Sequence, residues 1–302
     1  MDRSLSPKTS VALPAPRDVL ELLKPLTWFA PIWAFLCGVV SSGEAVGPRW
    51  PFLLAGVLLT GPLVCGTSQA VNDWYDRHVD AINQPTRPIP SGRIPGQWGF
   101  WIALSGTAVS MAVAWLSGAW VFAATCLGLV LAWAYSAPPL RLKVSGIWGP
   151  AAVAVSYEGL TWFTGASVMA GALPPTPVLI VLALYSAGAW GIMTLNDFKA
   201  VEGDRATGVR SLPAVLGVDR AARLACVAMA VPQVVVVVAL VSWGHRAVAA
   251  AVAALLVGQL ALMVRLLRDP LANTPWYNAT GTSLYVLGML AAAFGLGGVL
   301  GL

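Results

Sequence analysis

Residues 72–92 read NDWYDRHVDAINQPTRPIPSG, and residues 196–217 read NDFKAVEGDRATGVRSLPAVLG. At an offset of 124 residues Asn72 matches Asn196, Asp73 matches Asp197 and Asp80 matches Asp204. Each stretch closes a long apolar run, and each carries arginines and a proline after its acids. Six of the thirteen acidic residues lie here: Asp73, Asp76 and Asp80 in the first copy, Asp197, Glu202 and Asp204 in the second. Two copies of one acidic device, set where apolar runs stop, point to spans that end at a membrane surface.

Composition agrees with that reading. The 302 residues are 58% hydrophobic and 10% charged, where a soluble domain carries about 25% charged residues. Nine runs approach the ~20 residues needed to cross the hydrocarbon: 26–43, 52–72, 98–117, 119–136, 147–166, 178–196, 221–242, 247–266 and 281–300. Turn signals separate several of them, at Gly47-Pro48, Gly118, Pro174-Pro175 and Gly244. The expected fold is all-α: a polytopic membrane protein with nine transmembrane helices, in which 1–25 is a cytoplasmic tail and 26–302 a single transmembrane domain. Residues 1–24 show no cleavable signal pattern. Cys37, Cys65, Cys126 and Cys226 lie in apolar segments without a CxxC pair, so they are expected to pack rather than bind zinc or form disulfides.

The basic residues orient the chain. If the N-terminus is cytoplasmic, all but Arg49 and Arg246 of the eighteen Lys and Arg residues fall on the inner side, as the positive-inside rule requires. The net charge of +5 is then a matter of topology, and no nucleic-acid partner is expected. Both acidic stretches face the cytoplasm in this arrangement.

Their spacing carries chemistry. Asn72, Asp76 and Asp80 stand at i, i+4 and i+8, along one helix face. Asp197 and Asp204 are seven apart, close to two turns. Clustered carboxylates repel unless a cation joins them, and an oxygen-only donor set suits Mg²⁺, which keeps waters and bridges to phosphates. Neighbouring arginines suit phosphate oxygens. A diphosphate held between two acidic motifs is the economical expectation.

With YSAPPLRLK at 135–143 added to the two motifs, the chain resembles the UbiA-type intramembrane prenyltransferase superfamily, and within it the chlorophyll and bacteriochlorophyll synthase branch. The resemblance implies nine transmembrane helices and a Mg²⁺-dependent site facing the cytoplasm. It implies that Asn72, Asp76 and Asp80 hold one Mg²⁺, and that Asp197 and Asp204, supported by Asn196, hold a second. Asp76, Asp80 and Asp204 would be the catalytic acids. Ala200 stands where Asp76 stands in the first copy, which leaves Glu202 as a substitute ligand. Arg87, Arg141, Lys143 and Arg210 are implied to grip the diphosphate, and Tyr135 to lie near substrate. The partners implied are a prenyl diphosphate, a chlorophyllide-type pigment and the lipid bilayer, in a bacterial inner membrane, cytoplasmic or intracytoplasmic and photosynthetic. The implied reaction joins the pigment's propionate to a geranylgeranyl or phytyl group. A propionate is ionised near neutral pH, so no strong base is needed.

Glu158 lies mid-span in SYEGLTW. Intramembrane acids are costly and functional by default, so Glu158 is either a pigment contact or the partner of a buried polar group. Gln233 and Gln259 are expected to hydrogen-bond between helices. His78 is either a base near the first motif or an interfacial residue. Other readings remain open: a relative acting on a quinone precursor or haem, a transporter, or a pigment carrier. A transporter places its site at midplane on inverted repeats, whereas these motifs repeat in parallel at span ends. A pigment carrier needs axial ligands, and His78 and His245 both lie outside the spans.

Overall fold

The structure is a computed structural model that describes residues 13–298. Arg3 and Lys8, assigned above to the tail, and the last residues of the ninth run lie outside the described residues.

Helices form on the apolar runs. In chain order they are α1 (Pro16–Leu22), α2 (Phe29–Ser41), α3 (Val46–Leu58), α4 (Gly66–Asn83), α5 (Trp98–Ser117), α6 (Ala119–Ser136), α7 (Trp148–Ala154), α8 (Thr161–Ala170), α9 (Thr176–Asn196), α10 (Val201–Thr207), α11 (Leu212–Leu216), α12 (Val218–Ser242), α13 (Arg246–Leu266) and α14 (Pro270–Leu296). Among the described residues the only β-type pairing is an isolated bridge between Ser145 and Arg210. Two π-helical segments join helices end to end: Leu59–Cys65 between α3 and α4, and Val155–Leu160 between α7 and α8. Pro62 lies inside the first. A proline ring crowds the carbonyl four residues back, and a widened turn relieves that clash.

Seven helices among the described residues are long and apolar enough to cross a membrane, and an eighth is added if α1 and the segment Pro25–Ser41, bent by 47°, count as one span. The run expected at 147–166 is outside that set. It is helical from Trp148 to Ala170 apart from its π-helical turn, but Glu158, Thr161, Thr164 and Ser167 dilute its hydropathy. These side chains are buried, so the segment turns its polar atoms inward. The second run is longer than expected: Val46–Asn83 spans 38 residues, about 57 Å at 1.5 Å per residue, against ~30 Å of hydrocarbon. The rod is thus longer than the layer is thick, and its polar last turns carry the first motif.

The bundle is built on close helix crossings. α9 packs on α12, α13 on α14 and α2 on α8. At the α2–α8 crossing a Cβ on Gly38 would stand 2.0 Å from the Trp162 carbonyl oxygen, and one on Gly165 2.0 Å from that of Phe35. Membrane helices approach this closely only through small residues. Inside, Gln233 Nε2 donates to Gln259 Oε1 at 2.7 Å and Gln259 Nε2 donates to the Tyr277 hydroxyl at 3.1 Å, tying α12, α13 and α14 together. This is the interhelical bonding expected of the two glutamines. Outside, Val227, Val231, Val234, Val238 and Val241 form an exposed stripe along α12, a surface suited to lipid rather than water.

Candidate active site

α4 presents the first motif. Asp76 pairs with Lys143, and Asp80 Oδ2 accepts from Arg87 Nη1 at 2.7 Å. Asp73, one residue past Asn72, is 1% exposed; its Oδ1 accepts from Lys24 Nζ at 2.6 Å and from Arg87 Nη1 at 3.3 Å, while its Oδ2 is buried without a partner. Asn72 Nδ2 donates to Ser136 Oγ at 3.2 Å, which fixes the amide and leaves its oxygen free to accept. Every carboxylate of this motif thus has a basic partner. Those partners come from three segments: the N-terminal side, the loop after α4 and the loop after α6.

The segment before α2, expected as part of a tail, carries structure. α1 packs on α4 and buries Leu22. Arg93 clamps it, with Nη1 donating to Asp18 and Glu21 at 2.6 Å and Nη2 to Glu21 at 2.7 Å. Lys24 follows with a left-handed backbone, φ 47.

The second motif differs. α9 ends at Asn196, a 3₁₀ turn covers Asp197–Ala200, and α10 carries Glu202 and Asp204. Asn196 Oδ1 accepts from Asn278 Nδ2 at 3.3 Å. Among the described residues Asp197, Glu202 and Asp204 make no ion pair within 4.0 Å. The first motif is neutralised by protein cations and the second is not. Electrostatically, the second copy is the stronger draw for a cation from solution.

A cavity of about 370 Å³ opens between the motifs. Asn72, Tyr135, Lys143, Asn196, Asp197 and Lys199 line it, and so do Gln69, Ser68, Cys65 and Thr60, which step back along α4 and the π-helical segment before it. Tyr157 and Thr161 contribute from the other π-helical region, with Val64, Leu131, Ala132 and Val153 supplying apolar wall. The cavity is therefore polar beside the motifs and mixed deeper in.

Of the residues singled out from sequence, Asn72, Asn196, Asp197, Lys143 and Tyr135 are in this wall. Asp76 stands behind it, paired with Lys143, while Asp80 and its partner Arg87 are outside the wall. Asp204 is half-buried in α10, outside the wall. Arg141 and Arg210 are exposed. The backbone brings Arg210 beside the loop that carries Lys143, because Arg210 N donates to the Val144 carbonyl at 3.0 Å and Gly146 N to the Arg210 carbonyl at 2.8 Å. Glu158 is buried but outside the wall, whereas its neighbour Tyr157 is in it. Sequence reasoning missed Lys24, Lys199, Gln69 and Tyr157. Lys199 was visible inside the second motif; the other three carried no local signal.

The donor set fits a hard divalent cation. Among the described residues no three His, Cys, Asp or Glu side chains converge for a metal. A cation here would take few protein carboxylates and complete its shell with amide oxygens, water and substrate, as Mg²⁺ does.

A bundle of membrane-length helices with Asn72, Asn196 and Asp197 of two repeated motifs about one half-polar cavity defines a class: α-helical integral membrane proteins with a cavity fit for an amphipathic ligand. The sequence profile of the UbiA prenyltransferase family matches residues 30–287, and the chain belongs to that family of prenyl-transferring enzymes. It is 57% identical to the bacteriochlorophyll synthase 33 kDa chain of Cereibacter sphaeroides, over 98% of this chain and 97% of that one. It is 36% identical to the chloroplastic chlorophyll synthase of Avena sativa, over 91% of this chain and 75% of that one. Its fold is similar to that of a UbiA homolog from Archaeoglobus fulgidus solved bound to GPP and Mg²⁺, with a TM-score of 0.71 at 20% identity, covering 92% of this chain and 98% of that one.

Proposed function

We propose that this chain esterifies the propionate of bacteriochlorophyllide a with geranylgeranyl or phytyl diphosphate and releases diphosphate. The observation that carries this reading is similarity along nearly the whole chain to proteins named bacteriochlorophyll synthase, at 57% and 51% identity. The cavity supports it, because its polar end suits a diphosphate and its apolar walls suit a prenyl chain.

Asn72, Asp76 and Asp80 would hold one Mg²⁺, and Asn196, Asp197 and Asp204 another, with Glu202 available where Ala200 lacks a carboxylate. When bound, Mg²⁺ supplies Lewis-acid stabilisation of charge on the leaving diphosphate. The chain's own cations do related work. Lys143 and Arg87 now sit on Asp76, Asp80 and Asp73; in the loaded site they are placed to turn toward phosphate oxygens, as are Lys199 at the rim and Arg141 and Arg210 outside it. Once turned, such donors would stabilise the charge that develops on the leaving diphosphate. Tyr135 lines the same cavity as Asn72 and would lie near the substrate.

The membrane arrangement follows the same reading. The nine helical runs span a bacterial photosynthetic inner membrane, the N-terminus lies in the cytoplasm, and the motifs open to that side. The test is metal dependence in membranes containing the chain. Diphosphate release with bacteriochlorophyllide a and geranylgeranyl diphosphate should stop with EDTA and return with excess Mg²⁺; turnover indifferent to chelation contradicts the assignment.

A further inference from the structure

Tyr157 lies outside both motifs, in the π-helical segment Val155–Leu160, and its side chain reaches the α3–α4 rod. Its phenol oxygen accepts from Gln69 Nε2 at 3.1 Å and from Cys65 Sγ at 3.3 Å. Cys65 ends the other π-helical segment, so the two distorted turns meet through this one hydroxyl. Single widened turns of this kind concentrate at functional sites.

A phenol oxygen has two lone pairs and one proton. Here Gln69 fills one lone pair, and Cys65, whose single S–H is shared between this oxygen and the Thr27 carbonyl at 3.7 Å, faces the other, so the O–H needs a further partner. Among the described residues none accepts it, and Tyr157 lines the cavity. The proton is therefore presented to whatever fills the cavity. Its depth is set by Gln69, three residues before Asn72 on α4, which is about 4.5 Å along the axis. A diphosphate held at Asn72 and beyond would place its ester carbon on the inner side, at the level of this hydroxyl.

We infer that Tyr157 positions the acceptor by donating a hydrogen bond to one oxygen of its carboxylate. The inference rests on the proposed esterification. The second carboxylate oxygen attacks the allylic carbon, the C–O bond to diphosphate breaks, and its electron pair leaves with the diphosphate. Tyr157 keeps its proton throughout. The same geometry selects the acceptor's class. With Gln69 and Cys65 on its lone-pair side, the phenol meets the cavity as a donor, so it favours an anion over a hydroxyl-bearing nucleophile.

The test compares bacteriochlorophyllide a with its propionate methyl ester as a competitive inhibitor, using the full chain in membranes. Tyr157→Phe keeps the ring and removes the proton. A hydrogen bond to a charged group contributes about 1.5–3 kcal/mol, so KM for the acid should rise roughly 10- to 100-fold. KM for geranylgeranyl diphosphate should hold, and the ester's inhibition constant should move far less than KM for the acid. An unchanged acid KM, or equal changes for acid, ester and diphosphate, overturns the inference; the equal case marks a merely structural role. If Tyr157→Phe fails to accumulate, Gln69→Met keeps the phenol but releases one lone pair, letting the O–H turn away. The preference for acid over ester should then fall about threefold, within the worth of a single neutral hydrogen bond, and an unchanged preference overturns the inference. If the wild-type chain esterifies no pigment acid, the proposed function itself falls, a result read before any variant is made.

Discussion

Lys24 Nζ donates to Asp73 Oδ1 at 2.6 Å, joining the N-terminal segment to the first motif across 49 residues of sequence. The contact holds a lysine in a left-handed backbone conformation and satisfies half of a carboxylate that is otherwise buried. Removing one partner of a buried pair leaves an uncompensated charge, a change that costs about 3–5 kcal/mol when fully desolvated. Lys24 is partly exposed, so the cost here is smaller, about 1–3 kcal/mol. Lys24→Met should lower the thermal unfolding midpoint in detergent and raise KM for the prenyl diphosphate several-fold, with Lys24→Arg restoring most of both. Wild-type values in Lys24→Met would show that the pair braces nothing.

The α2–α8 crossing gives a second prediction. A Cβ at Gly38 meets backbone at 2.0 Å, whereas at Gly47 nothing lies within 4 Å. Backbone cannot step aside as a side chain can, so Gly38→Ala should cost about 2–3 kcal/mol or block accumulation, at the upper end of overpacking effects. Gly47→Ala should be neutral. Comparable folded yields from both variants in membranes would contradict the close crossing.

The motifs predict a third outcome. Asp76→Ala and Asp204→Ala should each abolish transfer while the protein still accumulates with wild-type helix content. Asp76→Ala also frees Lys143 from its carboxylate, so prenyl diphosphate should still bind, weakly, in a metal-independent way. Near-normal turnover in either variant would remove that residue from the metal site. The unneutralised second motif adds a detail: Glu202→Ala should keep measurable transfer where Asp204→Ala abolishes it, and the reverse order would make Glu202 the ligand.

Much of this was legible in sequence, for physical reasons. Hydrophobic runs report helices because a bilayer demands them, and the 124-residue repeat drew attention to two acidic span ends, of which Asn72, Asn196 and Asp197 line one cavity. The span at 147–166 shows where the reading strained: its inward polar side chains make it a poor membrane span by composition although it is helical. The site was legible only where its residues are near one another in the chain. Lys24 reaches Asp73 through a bend after α1 that no periodicity announces. Tyr157 was hidden beside a louder neighbour, since Glu158 violates a composition rule and a tyrosine does not. Yet the π-helical turn places Tyr157, not Glu158, in the cavity wall. Which face a distorted turn presents is set by packing against the other rod, and that is absent from the sequence pattern.

In the proposed reaction two acidic motifs activate a prenyl diphosphate for attack by a pigment carboxylate. The direct measurement offers membranes containing this chain geranylgeranyl diphosphate and Mg²⁺ with bacteriochlorophyllide a, chlorophyllide a or 4-hydroxybenzoate, and identifies the prenylated product by mass. Esterified bacteriochlorophyllide, formed only with Mg²⁺ and lost in Asp76→Ala, is the expected result. Prenylated 4-hydroxybenzoate with the pigment acids untouched would contradict it.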